Sequence, residues 1–250
     1  MQIIINGLAT EYKDEGKGPV VLLLHGWQDS LKTYDFLVPS LLNKHRVVRL
    51  DLPGFGKTET PDKNWNLNSY VEFLKSFIKK IDINPEIIIG HSFGGRIILK
   101  GESNNQFEAE KIVLINSAGL SEANGLKNKV IGFFTKIGKF LTFLPPLIFW
   151  RDDIKNKLYK KLGSDYLESG EMKNVFLNVI KEELSSNATK INKPTLLIWG
   201  EEDTATPLSD GKKLNKLIEN SKLEIIEGAS HFVHIEKPKE VIKLINDFIN

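Results

Sequence analysis

The chain of 250 residues has no cysteine. That single absence excludes a disulfide framework, a thiol nucleophile and any metal site built on thiolates. Charge of one sign is also lacking. Thirty-four Lys and Arg stand against 32 Asp and Glu, a formal net charge of +2, so no nucleic-acid partner is implied. Only four of the basic residues are arginines, which reads as a lysine-biased composition and not as a binding signal. A long uninterrupted apolar run is missing as well. The nearest to one, Val130 to Trp150, is broken by Lys136, Lys139 and Pro145-Pro146. Its apolar residues Val130, Phe133, Phe134, Ile137, Leu141 and Leu144 recur with the spacing of an amphipathic helix, so no membrane span is expected. The first dozen residues lack a basic segment followed by an apolar one, which predicts no secretory signal and a cytoplasmic location.

What is present is an ordinary globular composition, 41% hydrophobic and 26% charged, long enough for one core domain with an insertion. Short runs rich in Val, Ile and Leu lie at Val20 to Leu24, Arg46 to Leu50, Glu86 to Gly90, Lys111 to Ile115, Thr195 to Trp199 and Leu223 to Ile226. Runs of this kind predict strands buried on both faces. Helical patterns alternate with them, near Leu31 to Leu42, Phe93 to Ser103, Leu208 to Ile218 and Lys239 to Ile249. The clearest, from Tyr70 to Ile81, is expected to start at a capping box of Ser69 and Glu72. Strands alternating with helices give an α/β fold with a doubly wound, mostly parallel sheet. Gln2 to Ile5 and Glu11 to Lys13 would add an antiparallel edge hairpin. Between Ile115 and Thr195 about 80 residues pass without a convincing strand, far beyond an ordinary crossover. An inserted helical lid over residues 120–190 is therefore predicted, with residues 1–119 and 191–250 forming the core. The lid holds 12 basic residues against 8 acidic ones and is the basic part of the molecule.

The chemistry concentrates where strands end. Gly90-His91-Ser92-Phe93-Gly94-Gly95 follows a predicted strand and opens a predicted helix, the strand-turn-helix context of a nucleophile elbow. A serine hydroxyl needs a base, and the base needs a partner that fixes its tautomer. Of the five histidines, His25 precedes a Gly-Trp turn, His45 sits in a polar connection, and His91 precedes the serine and points to the other side of the turn. His231, in a loop of small residues after the last strand, is the candidate base. His234 is expected at a helix entry or in contact with the lid. Asp203, in the acidic loop after Thr195 to Trp199, is placed to orient His231, because open α/β sheets collect catalytic groups at the carboxyl ends of their strands. The turn His25-Gly26-Trp27-Gln28 would aim the Trp27 backbone N–H at the same point as the Phe93 N–H, forming an oxyanion hole. Asp51-Leu52-Pro53-Gly54-Phe55-Gly56 is expected to be a rigid turn beneath the site.

Taken in order, HGW, DLPGFGKT, GHSFGG, WGEEDTATP and GASHFVHIEKP make the chain resemble the α/β-hydrolase superfamily over essentially its whole length. The resemblance implies a hydrolase without metal or cofactor, with a Ser92–Asp203–His231 triad and a lid that shapes the pocket. Some relatives carry the acid after the preceding strand; this chain has Asn116 there, which favours Asp203. Ester hydrolysis through an acyl-enzyme is the expected activity. Thioesterases, hydrolases of carbon–carbon bonds, perhydrolases, lyases with the same triad, and a ligand receptor on this fold stay open. Arg96 occupies a position that is Arg in similar lyases, but a surface helix residue is expected. The aromatic residues of the lid, Phe133, Phe134, Phe140, Phe143, Phe149, Trp150, Tyr159, Tyr166 and Phe176, predict a small or medium apolar acyl or aryl substrate.

Overall fold

The computed structural model describes residues 1–120 and 170–250. Eight strands, β1 (Gln2–Ile5), β2 (Leu8–Gly16), β3 (Val20–Leu24), β4 (Arg46–Leu50), β5 (Pro85–His91), β6 (Lys111–Ile115), β7 (Thr195–Gly200) and β8 (Ser221–Ile226), form one sheet. Their spatial order is β1-β2-β4-β3-β5-β6-β7-β8. β1 and β2 run antiparallel to their neighbours and the rest are parallel, as an α/β fold with helical crossovers requires.

Alternation along each strand sorts the sheet's side chains into two cores. Leu22, Leu24, Val48, Ile88, Leu114 and Leu197 face one cluster, which is covered by Phe73, Phe77, Ile97 and Leu214. Val21, Leu23, Val47, Ile89, Val113 and Ile198 face the other, covered by Tyr34, Leu41, Val241 and Ile245. Both faces of β3, β5, β6 and β7 are therefore dry, which is why their sequences read as near-continuous apolar runs; β8, at the sheet edge, leaves Ile225 exposed.

Among the described residues, the helices of eight or more residues are α1 (Leu67–Lys80), α2 (Phe93–Glu102), α3 (Lys173–Ile180), α4 (Leu208–Leu217) and α5 (Pro238–Ile249). Helix α1 begins a turn earlier than the capping box of Ser69 and Glu72 implied. Asn66 is the N-cap: its side chain accepts from the Ser69 N–H at 3.2 Å, and the Ser69 hydroxyl accepts from the Asn66 N–H at 3.2 Å. The earlier start adds Leu67 to the buried stripe. Nor is Leu31 to Leu42 one helix. It splits into a 3-10 turn, Leu31–Tyr34, and a four-residue helix, Val38–Leu41, with Pro39 in its first turn where a missing N–H costs nothing.

The described part of the expected lid packs on the core. Met172, Val175, Val179, Leu184 and Ala188 belong to the first core cluster. The Leu184 N–H donates to the Gly119 carbonyl at 2.9 Å, and Asn187 Nδ2 donates to Ser103 Oγ at 2.7 Å. The predicted Val130 to Leu144 helix, and all the aromatics named above except Phe176, lie outside the described residues. No helix among the described residues is long and apolar enough to cross a membrane.

Candidate active site

Strand β5 ends at His91 and helix α2 starts at Phe93, so Ser92 alone makes the turn between them. It does so with φ 47° and ψ −106°, a backbone conformation costing about 1–3 kcal/mol for a residue with a side chain. Three backbone bonds hold it. The Ser92 N–H donates to Ile115 at 3.0 Å, and the Ser92 carbonyl accepts from Arg96 at 3.1 Å and Ala118 at 3.0 Å. Close approach of strand and helix depends on glycine: a Cβ on Gly90 would stand 2.6 Å from the backbone of Gly94 and Gly95, and one on Gly94 would collide with the Leu24 carbonyl.

The three residues singled out from the sequence come together. His231 Nε2 lies 3.1 Å from Ser92 Oγ, and His231 Nδ1 lies 2.9 Å from Asp203 Oδ2. Asp203 is 5% exposed and collects an unusual number of donors. Its Oδ1 accepts from the Ala205 N–H at 2.8 Å and the Thr206 N–H at 2.9 Å; its Oδ2 accepts from the Thr206 hydroxyl at 2.7 Å and from Asn116 Nδ2. Burial alone would raise the Asp203 pKa. The bond and charge of His231 and the donors of Thr206 outweigh it and hold the carboxyl below its ordinary value. Thr206 was not legible as a site residue, although an Asp followed three positions later by Thr is the signal of such a side-chain-to-backbone turn. Asn116, read only as unable to supply the charge, sits against that carboxylate as a donor.

The loop after β3 is locked by His25. Its Nε2 accepts from the Leu52 N–H at 2.9 Å, so Nδ1 carries the proton and donates to the Gly26 carbonyl at 2.7 Å. Below it, Asp51 accepts from the Leu31 and Lys57 N–H groups, the rigid turn that was expected. Trp27 then packs edge-on against Phe55 and Phe93, at ring distances of 4.7 and 5.1 Å, and meets Phe176 at 5.1 Å. Trp27, Ser92, Phe93 and His231 line one cavity of about 690 Å³, with Phe176, Val179 and Phe232 among its apolar walls.

One expectation is corrected here. Arg96 is no surface residue: it is 6% exposed, lines the cavity, and donates from Nε to the Val179 carbonyl at 3.1 Å and from Nη2 to the Glu182 carbonyl. Carbonyls at and just beyond the C-terminal end of α3 are a favourable place for a cation. Burial nevertheless lowers its pKa to about 10, against the opposing charges of Glu182 and Glu183. His234, expected at a helix entry or in contact with the lid, stands at the entry of the short helix Val233–Glu236 and is fully buried beside Tyr34 and His91, with Nε2 3.0 Å from Thr33 Oγ1.

The model of the α/β hydrolase family matches residues 21–244, and the chain belongs to that family and is a hydrolase. It is 26% identical to an uncharacterised hydrolase, YugF, of Bacillus subtilis, over 98% of this chain and 94% of that one. It is 24% identical to a 2-hydroxy-6-oxo-2,4-heptadienoate hydrolase of Pseudomonas putida, over 99% and 95%. Among solved structures, a meta-cleavage product hydrolase from Pseudomonas fluorescens IP01 superposes with a TM-score of 0.75 at 24% identity, covering 100% of this chain and 97% of that one. That likeness establishes the fold.

Proposed function

We propose that the chain is a serine hydrolase that cleaves a carboxylic ester or related acyl bond of a small, largely apolar substrate through an acyl-enzyme. The observation that carries this reading is the continuous line from Ser92 Oγ through the His231 ring to Asp203, with contacts of 3.1 and 2.9 Å. In it His231 Nε2 takes the Ser92 proton as Oγ attacks the acyl carbon. Asp203 keeps Nδ1 protonated and stabilises the imidazolium that forms. The backbone N–H groups of Trp27 and Phe93 take the oxyanion; Phe93 opens α2, where first-turn N–H groups have no partner within the helix. Collapse of the tetrahedral intermediate expels the alcohol, which leaves with the proton from His231, and water then repeats the steps in reverse order. Residues 120–190, as a lid, would close the acyl side of the cavity.

A second reading has a specific observation behind it. Arg96 puts a cation in the cavity wall, and a relative is named for hydrolysing an oxo-dienoate, a compound with a carboxylate and a ketone but no ester. Cleaving such a molecule with water breaks a carbon–carbon bond next to the ketone. A fluorophosphonate probe followed by intact-mass analysis tests the shared nucleophile: one adduct is expected in the wild type and none in Ser92→Ala. An adduct that survives the substitution overturns the assignment. Comparing kcat/KM for a neutral aryl ester and an anionic vinylogous diketone then separates the two readings.

A further inference from the structure

Beside His231, three side chains bring unpaired polar atoms to one place. Asp29 follows the Trp27 loop, His91 precedes Ser92, and His234 lies in the helix Val233–Glu236. One ligand atom from each lies within 4.8 Å of the other two. Asp29 Oδ2, His91 Nδ1 and His234 Nδ1 are all buried without a hydrogen-bond partner. A buried polar atom left alone is destabilising.

Their neighbours decide what these atoms are. His91 Nε2 lies 3.0 Å from the His231 carbonyl, which can only accept, so Nε2 holds the proton and Nδ1 presents a lone pair. His234 Nε2 faces Thr33 Oγ1 at 3.0 Å; donating there leaves its Nδ1 as a lone pair too. Both rings are neutral, burial acting first on each. The other Asp29 oxygen accepts from the Ser30 N–H at 2.7 Å. In that tautomer of His234 three acceptors converge with no donor among them. A water molecule has two protons to give and cannot satisfy all three; a cation can.

We propose that Asp29, His91 and His234 form a binding site for a divalent transition-metal ion of the Zn2+ type, and that filling it inhibits the neighbouring Ser92 centre. Two imidazoles and one carboxylate with open positions left for water are a common set for such ions. Both rings already have the outer partners that orient metal-bound histidines, a backbone carbonyl for His91 and a hydroxyl for His234. Bonds of about 2.1 Å in a tetrahedral arrangement put ligand atoms about 3.4 Å apart, so the three groups must draw together by roughly an ångström. Asp29, on a loop and only half-buried, has the freedom to do so. Asp29 and His91 both line the Ser92 cavity, which gives the ion its way in. The His91 and His231 ring centres are 4.9 Å apart. An ion held by Asp29 and His91 would therefore stand in the wall of the cavity that holds Ser92 and crowd the substrate there, an effect that rests on the role proposed for Ser92; the binding itself does not.

Calorimetric titration of the EDTA-stripped full chain with Zn2+, and with Co2+ followed by its visible absorption, tests the site directly. One equivalent is expected, with affinity lowered about tenfold or more in Asp29→Asn and in His234→Gln and unchanged in His231→Ala. Asp29→Asn keeps shape and partial exposure, so it reads the site even if His234→Gln folds poorly. Ester turnover should fall as the site fills and return with EDTA. Absence of a one-equivalent event, equal affinity in Asp29→Asn, or loss of binding in His231→Ala would overturn the proposal, the last by placing the ion on the Ser92–His231 pair. So would a soaked crystal with a water peak and no anomalous signal among the three residues. Because binding is read without a substrate, a metal site on a chain that hydrolyses no ester would sink the functional reading and leave this one standing.

Discussion

Thr206 makes two bonds to the Asp203 carboxylate, one from its N–H at 2.9 Å and one from its hydroxyl at 2.7 Å, and its hydroxyl also lies 3.3 Å from His231 Nδ1. Only the hydroxyl can be removed by mutation. A hydrogen bond to a charged group contributes about 1.5–3 kcal/mol, so Thr206→Val should lower kcat roughly tenfold with KM little changed, and Thr206→Ser should restore it. Asp203→Asn should cost far more, about 10⁴ in kcat, because Nδ1 of His231 would lose its acceptor. The same variant reports on stability. Asp203 has a folded pKa below its unfolded one, so its contribution is complete above the unfolded value, about 4, and is lost as pH falls through the folded one. Urea midpoints should show Asp203→Asn less stable than wild type at pH 7, with the gap closing below about pH 4; a constant gap would mean the carboxylate is not held in its charged form by the fold. Ser92, His231 and Asp203 could be read from sequence because each follows a strand end. Thr206, Asn116 and Arg96 could not, since their roles come from partners 3, 87 and 83 positions away.

At the scale of elements, β3, β4 and β6 have the bounds that their apolar runs predict, because both sheet faces bury them; the charge inside β4, Arg49, is buried with Asp35 and Glu15 as its partners. Exposed helix starts were less legible. Asn66 and Ser69 are both good capping residues, and tertiary burial of Leu67 chose between them. The β5–α2 junction is where sequence constrains structure most tightly. Gly94→Ala places a methyl group against the Leu24 carbonyl, so α2 must retreat from β3 and carry Ser92 with it. Displacements of about an ångström at a reacting group cost on the order of 10² in rate. Gly94→Ala should therefore lose acylation rate by at least that factor and lower Tm by several degrees; unchanged probe labelling would show that the helix can shift without moving Ser92. On the other side of the site, Trp199 is fully buried and its Nε1–H donates to the Thr206 carbonyl at 2.8 Å, tying the Asp203 loop to β7. Trp199→Phe should reproduce part of the Thr206 effect.

For the whole molecule, what matters is how the cavity is divided. Its candidate catalytic groups come from the ends of β3, β5 and β7 and from the loop after β8, and its apolar wall includes α3, which Arg96 joins to α2. Arg96 binds the Val179 and Glu182 carbonyls, and Lys100 pairs with Glu182 one turn further along. The cavity therefore lies between the sheet edge and a segment held by charge-assisted bonds, with Trp27, Phe93, Phe176, Val179 and Ile180 on its apolar side. A volume of about 690 Å³ is within the range of small-molecule sites and leaves room for several methylene groups beyond the acyl carbon. Each one buried contributes about 0.8 kcal/mol, or roughly fourfold in kcat/KM, until the wall is reached. A series of p-nitrophenyl esters from acetate to decanoate should accordingly climb and then break. Phe176→Ala should move the break to a longer chain, because the ring that meets Trp27 also closes the wall. A flat response across the series, together with faster turnover of an anionic substrate that is lost in Arg96→Met, would assign the cavity to the charged class of substrates instead.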